Sequence, residues 1–352
     1  MDFEFQKKVL KNSFDKQIVL AVPVLNQSGD WIILADGFDL YHLDRKAEAV
    51  NFCYSIPKTK VPETRFLQMV VEENLEYFAI TGHSEGGGSD EFNWGTVFEF
   101  KNGDDVMKLE CGDYHTHLAP FPVQFYSRNA QRLVVHATDW NRLDITDLKS
   151  GKLLTERDFE SFPKEGVAEQ DCITEWSGEL QFSPNKEWIA TLGWHWHPVG
   201  MAFSWNFSDW LNGSIWEADN GKSKHIHSTV PYFWHGPFCW LDNRRLCLWG
   251  YEDAEYDENQ IPVPSAAIYD VVDGKLINWF NGPTMDFFEF DQYLFSGSEE
   301  DNLLTIWDVD KGVELFRGKQ FDRLIGYHKG CREFLEINET GEMRVTTWSV
   351  NS

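Results

Sequence analysis

The sequence lacks any apolar run approaching the roughly 20 residues that a membrane-spanning helix needs, so no such helix is expected. Its opening residues, MDFEFQKKVLKNSF, hold no apolar stretch and no small-residue cleavage site, which argues against a secretory signal. None of the six cysteines (Cys53, Cys111, Cys172, Cys239, Cys247, Cys331) falls in a C-x-x-C pair, so neither a thiolate-metal site nor a disulfide framework is expected. Scattered thiols in a chain of 352 residues read as small buried hydrophobes in a reducing compartment, and the expected location is cytoplasmic. Positive charge is scarce too: 31 Lys and Arg stand against 57 Asp and Glu, a formal net charge of -26. That balance opposes binding to nucleic acid or an anionic membrane, both of which need a basic surface. A basic partner fits better.

Apolar and aromatic material is plentiful. Apolar residues make up 42% and aromatics 15%, with 27 Phe, 16 Trp and 11 Tyr, enough for a packed core. Length alone would suggest about two domains, but all-β folds of this size occur as one unit, and a single domain over residues 1–352 is expected.

A degraded internal repeat sets the architecture. Its clearest copy, Ile306-Trp307-Asp308-Val309-Asp310-Lys311-Gly312, is an alternating strand followed by a tight turn. Counterparts begin at Val97, Ile145, Ile215 and Ile268, with weaker ones at Leu40 and Val345. The equivalent positions are Tyr41, Phe98, Thr146, Trp216, Tyr269, Trp307 and Thr346. The shortest spacings, Tyr269 to Trp307 and Trp307 to Thr346, match a bare four-stranded propeller blade of about 40 residues. Two further strand-like runs joined by a polar turn precede each copy, as at 18–25 and 31–35. No segment carries a long helical period with caps.

The last copy ends before an outer strand can form, while residues 2–10 have no inner-strand partner of their own. Placing 2–10 as the outer strand of the final blade removes two exposed sheet edges. On Trp307-Asp308, its aromatic equivalents and the strand rhythm, the whole chain resembles WD40-type propellers. The Gly-His pair of that repeat is missing, and one true Trp-Asp stands at the expected position. The expected fold is all-β: a seven-bladed propeller of four-stranded antiparallel blades, closed by the N-terminal strand.

In such a fold, first-to-second and third-to-outer turns lie on one face, second-to-third loops and blade-to-blade connections on the other. The first face receives only short turns. The second receives the insertions 82–95, 111–122, 156–178, 193–213 and 251–264. Long loops on one side of a rigid scaffold are where function concentrates. Their contents define a candidate partner-binding set. The 193–213 segment supplies Trp194, His195, Trp196, His197, Trp205 and Trp210. Tyr251, Glu252, Asp253, Glu255, Asp257 and Glu258 form an acidic run, and Asp90, Glu91, Trp94, Tyr114, His115, His117 and Trp234 come from neighbouring loops. Trp and Tyr anchor partners, and carboxylates steer and pair with Lys or Arg. The competing reading is that each Trp pins its loop to the scaffold.

Other motifs carry less. Gly82-His83-Ser84-Glu85-Gly86 matches G-x-S-x-G, but the nucleophile elbow needs a strand turning into a helix, and here another strand follows near Thr96. His195-x-His197 and His115-x-His117, with Asp113, could ligate Zn²⁺, yet His in aromatic loops more often hydrogen-bonds in the core, and no metal or cofactor is expected. The acidic run lacks the glycine spacing of a calcium loop. The leading expectation is a non-enzymatic propeller binding a basic protein, with Trp194, Trp196 and Trp210 buried in the partner. Its most specific form is an immunity or antitoxin protein that plugs a basic toxin. The alternative is a carbohydrate-type small-ligand binder or hydrolytic enzyme using the same aromatic, His and carboxylate residues.

Overall fold

The Asp and Gly of the repeat turn the chain at the end of a third strand. The Asp44 carboxylate accepts the backbone N–H of Ala47 at 2.8 Å, Asp147 that of Ser150 at 2.7 Å, Asp270 that of Val272 at 2.9 Å and Asp308 that of Lys311 at 3.1 Å. Such bonds substitute a side chain for part of a backbone turn. The glycine that follows sits at φ 69° (Gly151), 67° (Gly274) or 63° (Gly312), the left-handed region that side chains avoid. The Ser150 hydroxyl and N–H hold the Asp147 carboxyl below its ordinary pKa, and Lys311 does the same for Asp308.

The computed structural model describes residues 2–10, 16–26, 28–60, 64, 66–83, 93–112, 118–158, 175–195, 199–231, 236–251, 263–284, 287–298, 302–319, 321–338 and 341–351, with 59, 230, 231, 251, 263, 287 and 298 described by backbone alone. Its strands form seven antiparallel sheets in the order of a seven-bladed β-propeller. Blade 1 is Ile18–Pro23, Trp31–Ala35, Asp39–Asp44 and Ala49–Ser55; blade 2 is Phe66–Val71, Tyr77–His83, Asn93–Glu99 and Asp105–Leu109. Blade 3 is Val123–Arg128, Gln131–Asp139, Arg142–Asp147 and Lys152–Leu153. Blade 4 has a first strand in two pieces, Glu175–Trp176 and Leu180–Phe182, then Trp188–His195, Val199–Asn206 and His225–Pro231. Blade 5 is Phe238–Trp240, Arg245–Tyr251, Val263–Asp270 and Lys275–Asn281; blade 6 is Phe287–Asp291, Tyr293–Ser298, Leu303–Asp308 and Val313–Gly318. Blade 7 is Arg323–His328, Glu333–Ile337 and Met343–Asn351, and its fourth strand is Asp2–Val9, as the sequence predicts.

Two compact units result: Met1–Ile80 with Thr96–Val106 and Pro283–Ser352, and Thr81–Gly95 with Met107–Gly282. In the first, Trp31, Ile33 and Leu43 of blade 1 pack with Leu335, Met343 and Val345 of blade 7. Phe3 and Phe5 of the closing strand join Phe295, Phe334 and Trp348, and Phe3 meets Tyr293 edge-on at 5.5 Å. Arg45 donates two hydrogen bonds to the buried Glu333. Glu336, also buried, accepts from Lys7 and Thr346.

The second unit corrects the expected register in blade 4. Its third strand is Val199–Asn206, so the repeat position is Trp205, which registers opposite Ile189, rather than Trp216. Asn206 stands where Asp308 stands in blade 6. Its side chain accepts the Asp209 N–H at 2.9 Å and thereby caps a short helix, Phe207–Leu211. A second short helix, Glu217–Asn220, contains the residues read as a strand-and-turn copy. Residues 207–224 are therefore an insertion between third and fourth strands, the side expected to carry only short turns.

Candidate functional site

In the second unit, the roots of several connections line one cleft. Asn93 opens the third strand of blade 2 directly after residues 84–92, and Cys111 and Ala119 flank 113–117. Trp176 and Ser177 follow 159–174, Trp194 lies two residues ahead of 196–198, and Trp140 sits between the second and third strands of blade 3. Pro120, Pro122 and Ala137 complete the wall.

Backbone proximity creates the aromatic floor. Trp176 and Trp194 register opposite each other on antiparallel strands. A Cβ on Gly193 would lie 1.8 Å from the Trp176 carbonyl oxygen, so only glycine lets these strands approach so closely. The two indoles stack with centroids 3.9 Å apart and planes 13° off parallel, and Trp140 leans on Trp176 at 4.7 Å and 41°. Trp176 and Trp194 are buried; Trp140 is half-exposed.

Polar groups at the cleft are few. Asn93 Nδ2 donates to Cys111 Sγ at 3.1 Å, while the buried Asn93 Oδ1 has no hydrogen-bond partner among the described residues. Burial, with Asp139 adding to it, pushes the Cys111 thiol up to about 12, so it stays protonated at neutral pH. Asp139 is exposed at the rim, its carboxylate accepting the Trp140 N–H at 2.8 Å. The cleft has a volume of only about 20 Å³. Binding sites for drug-sized molecules start at about 300 Å³, so a hexose or nucleotide would not be enclosed here.

A buried charge cluster braces the blade 4 insertion. Asp144 accepts from Arg157 Nη1 at 2.5 Å, Arg142 Nε at 2.7 Å and Thr155 Oγ1 at 2.8 Å. Arg157 also pairs with Asp219 on the second helix at 2.7 Å and lies over the Trp216 ring. Desolvation pushes the Asp219 carboxyl up to about 6 despite Arg157 and Lys224. Nearby, burial lowers the His227 pKa to about 4; its Nε2 lies 2.8 Å from Ser204 Oγ.

The sequence-predicted residues divide into three groups. Trp194, Trp205 and Trp210 are 2%, 0% and 1% exposed, so these indoles pack the protein's own core and do not protrude as anchors. Trp210 and Trp194 also lie toward opposite ends of blade 4, because Trp210 follows the third strand and Trp194 sits near the end of the second. His195 and Trp94 are half-buried, and Tyr251 ends the second strand of blade 5. Trp196, His197, Asp90, Glu91, Tyr114, His115, His117, Trp234, Glu252, Asp253, Glu255, Asp257 and Glu258 lie outside the described residues, as does Ser84. The strand Tyr77–His83 before Ser84 pairs with a following strand, Asn93–Glu99, and not with an elbow helix. Among the described residues, no group of three His, Cys, Asp or Glu side chains could hold a metal ion. Sequence reasoning missed Trp140 and Trp176. Trp176 stands near the end of the 156–178 insertion, but Trp140 sits in a short turn of blade 3, and stacking between blades leaves no mark of spacing.

No protein-family model matches this sequence, and no curated protein matches it significantly. Solved structures do. A chain of a mitotic checkpoint complex matches 99% of this chain over 91% of its own, at 8% identity and TM-score 0.55. The WD40 repeats of RRP9 match 98% over 100%, at 9% identity and TM-score 0.55. The β-propeller domain of Cps50 (Swd1) from Myceliophteria thermophila matches 97% over 99%, at 10% identity and TM-score 0.53. Identities this low carry fold and not function. In fold, the chain is similar to WD40-type β-propellers.

Proposed function

We propose that the protein is a non-enzymatic scaffold that binds a basic protein through the long connections of its second unit. The observation that carries this reading is where the acid lies. Segments 84–92, 113–117 and 159–174, which root at the cleft, hold Glu85, Asp90, Glu91, Asp113, Glu160, Glu165, Glu169 and Asp171 against one base, Lys164. Segment 252–260 of the same unit adds Glu252, Asp253, Glu255, Asp257 and Glu258 with no base. Connections of a β-propeller are free to vary without disturbing the sheets, so one sign of charge gathered there suits a partner of the other sign. Its most specific form is an immunity or antitoxin protein neutralising a basic toxin, and a reducing, cytoplasmic setting suits the free thiols of Cys53, Cys111, Cys239, Cys247 and Cys331.

The test neutralises Glu252, Asp253, Glu255, Asp257 and Glu258 to Gln or Asn. Affinity capture followed by binding kinetics should return basic partners whose association slows in the variant, most at low salt. Capture of acidic partners, or kinetics indifferent to the five changes, would contradict the reading.

A further inference from the structure

We propose that the cleft takes an arginine side chain of the partner, an inference that rests on the proposed function. Three features of the cleft match that one group. First, the floor is a tryptophan stack in which Trp140 is half-exposed, and a guanidinium plane lies on indole faces better than a compact ammonium does. Second, Asn93 Oδ1 is a buried acceptor with no partner among the described residues, and its Nδ2 is held by Cys111 Sγ. An unmade acceptor of this kind favours a ligand that donates N–H, and arginine donates five while accepting none. Third, the Asp139 carboxylate stands exposed beside Trp140 at the rim of the cleft.

Size and charge narrow the occupant. A cavity volume of only about 20 Å³ admits a thin, planar head and excludes a bulky ring system. An aliphatic side chain would satisfy the tryptophans but leave Asn93 Oδ1 buried and unpaired, at a cost. A carboxylate would meet Asp139. A neutral amide could bond Asn93 but would gain nothing from the Asp139 carboxylate.

The probes are fluorescein-labelled nona-arginine, nona-lysine and nona-citrulline, titrated against the full chain by fluorescence anisotropy at low and near-physiological salt. Nona-arginine should bind about tenfold more tightly than nona-lysine, the size of one well-placed cation–π contact, and nona-citrulline should bind negligibly. Trp140→Leu, which keeps apolar volume without a π face, should erase the preference for arginine while leaving the salt dependence intact. Asn93→Asp, which puts a charge on the acceptor, should tighten nona-arginine binding several-fold, a gain that misfolding cannot mimic. Equal binding of arginine and lysine peptides, or a preference untouched by Trp140→Leu and Asn93→Asp, would overturn the arginine assignment and leave the basic-partner reading standing. If no cationic peptide binds, both fall.

Discussion

The two units solve the same packing problem by different means. The first closes its blades with short turns, a closing strand whose Phe3 and Phe5 enter an aromatic cluster, Arg45 paired with Glu333 between blades 1 and 7, and Lys7 paired with Glu336 within blade 7. The second carries the long connections, a first strand in two pieces, a helical insertion braced by Asp144, Arg157 and Asp219, and the cleft. Strands repeat because each blade must bury both faces. Connections carry no such constraint, so novelty collects there.

The contrast can be broken hardest at Asp144. Asp144→Ala leaves Arg157 and Arg142 without their shared buried carboxylate and should cost about 3–5 kcal/mol, read as a large fall in melting temperature. The next effect depends on pH. His227 has a folded-state pKa near 4, below the ordinary value of 6.5, so the unfolded chain binds the extra proton first as acid is added. Stability should therefore fall between about pH 6.5 and 4, by at most about 3 kcal/mol from this residue. Asp219, raised to about 6, acts in the opposite sense, so the measurement is the difference between wild type and His227→Gln, which should lose stability less steeply over that window. In the first unit, Asp308→Ala removes the turn bond from the Lys311 N–H and the exposed ion pair with Lys311 Nζ, and should cost about 1 kcal/mol. Smallest of all, neutralising the five carboxylates of 252–258 should leave the free energy of unfolding within about 0.5 kcal/mol of wild type, read from denaturant unfolding, since charges on a connection between strands contribute little to stability.

The same division governs what the sequence reveals. The first unit is legible because its turns use one chemistry, an Asp followed by a residue that accepts positive φ, with Glu48 at 53° standing in for glycine once. Closure by residues 2–9 is legible because an unpaired edge at each terminus has one economical remedy. Blade 4 misleads. Its third strand ends in Asn206, and Asn caps a helix as readily as it turns a hairpin. The cue was Phe207 and Trp210, three apart on one helical face, with Asp209 in the first turn. The aromatic floor was hidden for another reason. Gly193 permits the close approach that stacks Trp176 on Trp194, and Trp140 reaches Trp176 from a different blade, neither of which linear spacing records.

Hydrogen exchange of the full chain saturated with nona-arginine tests most directly whether recognition belongs to the second unit. Slower exchange should appear in peptides covering 110–122, 139–141 and 175–178, around the cleft, with blades 6 and 7 unchanged. Protection confined to blades 6 and 7, or saturated binding that leaves those three segments unaltered, would contradict the account.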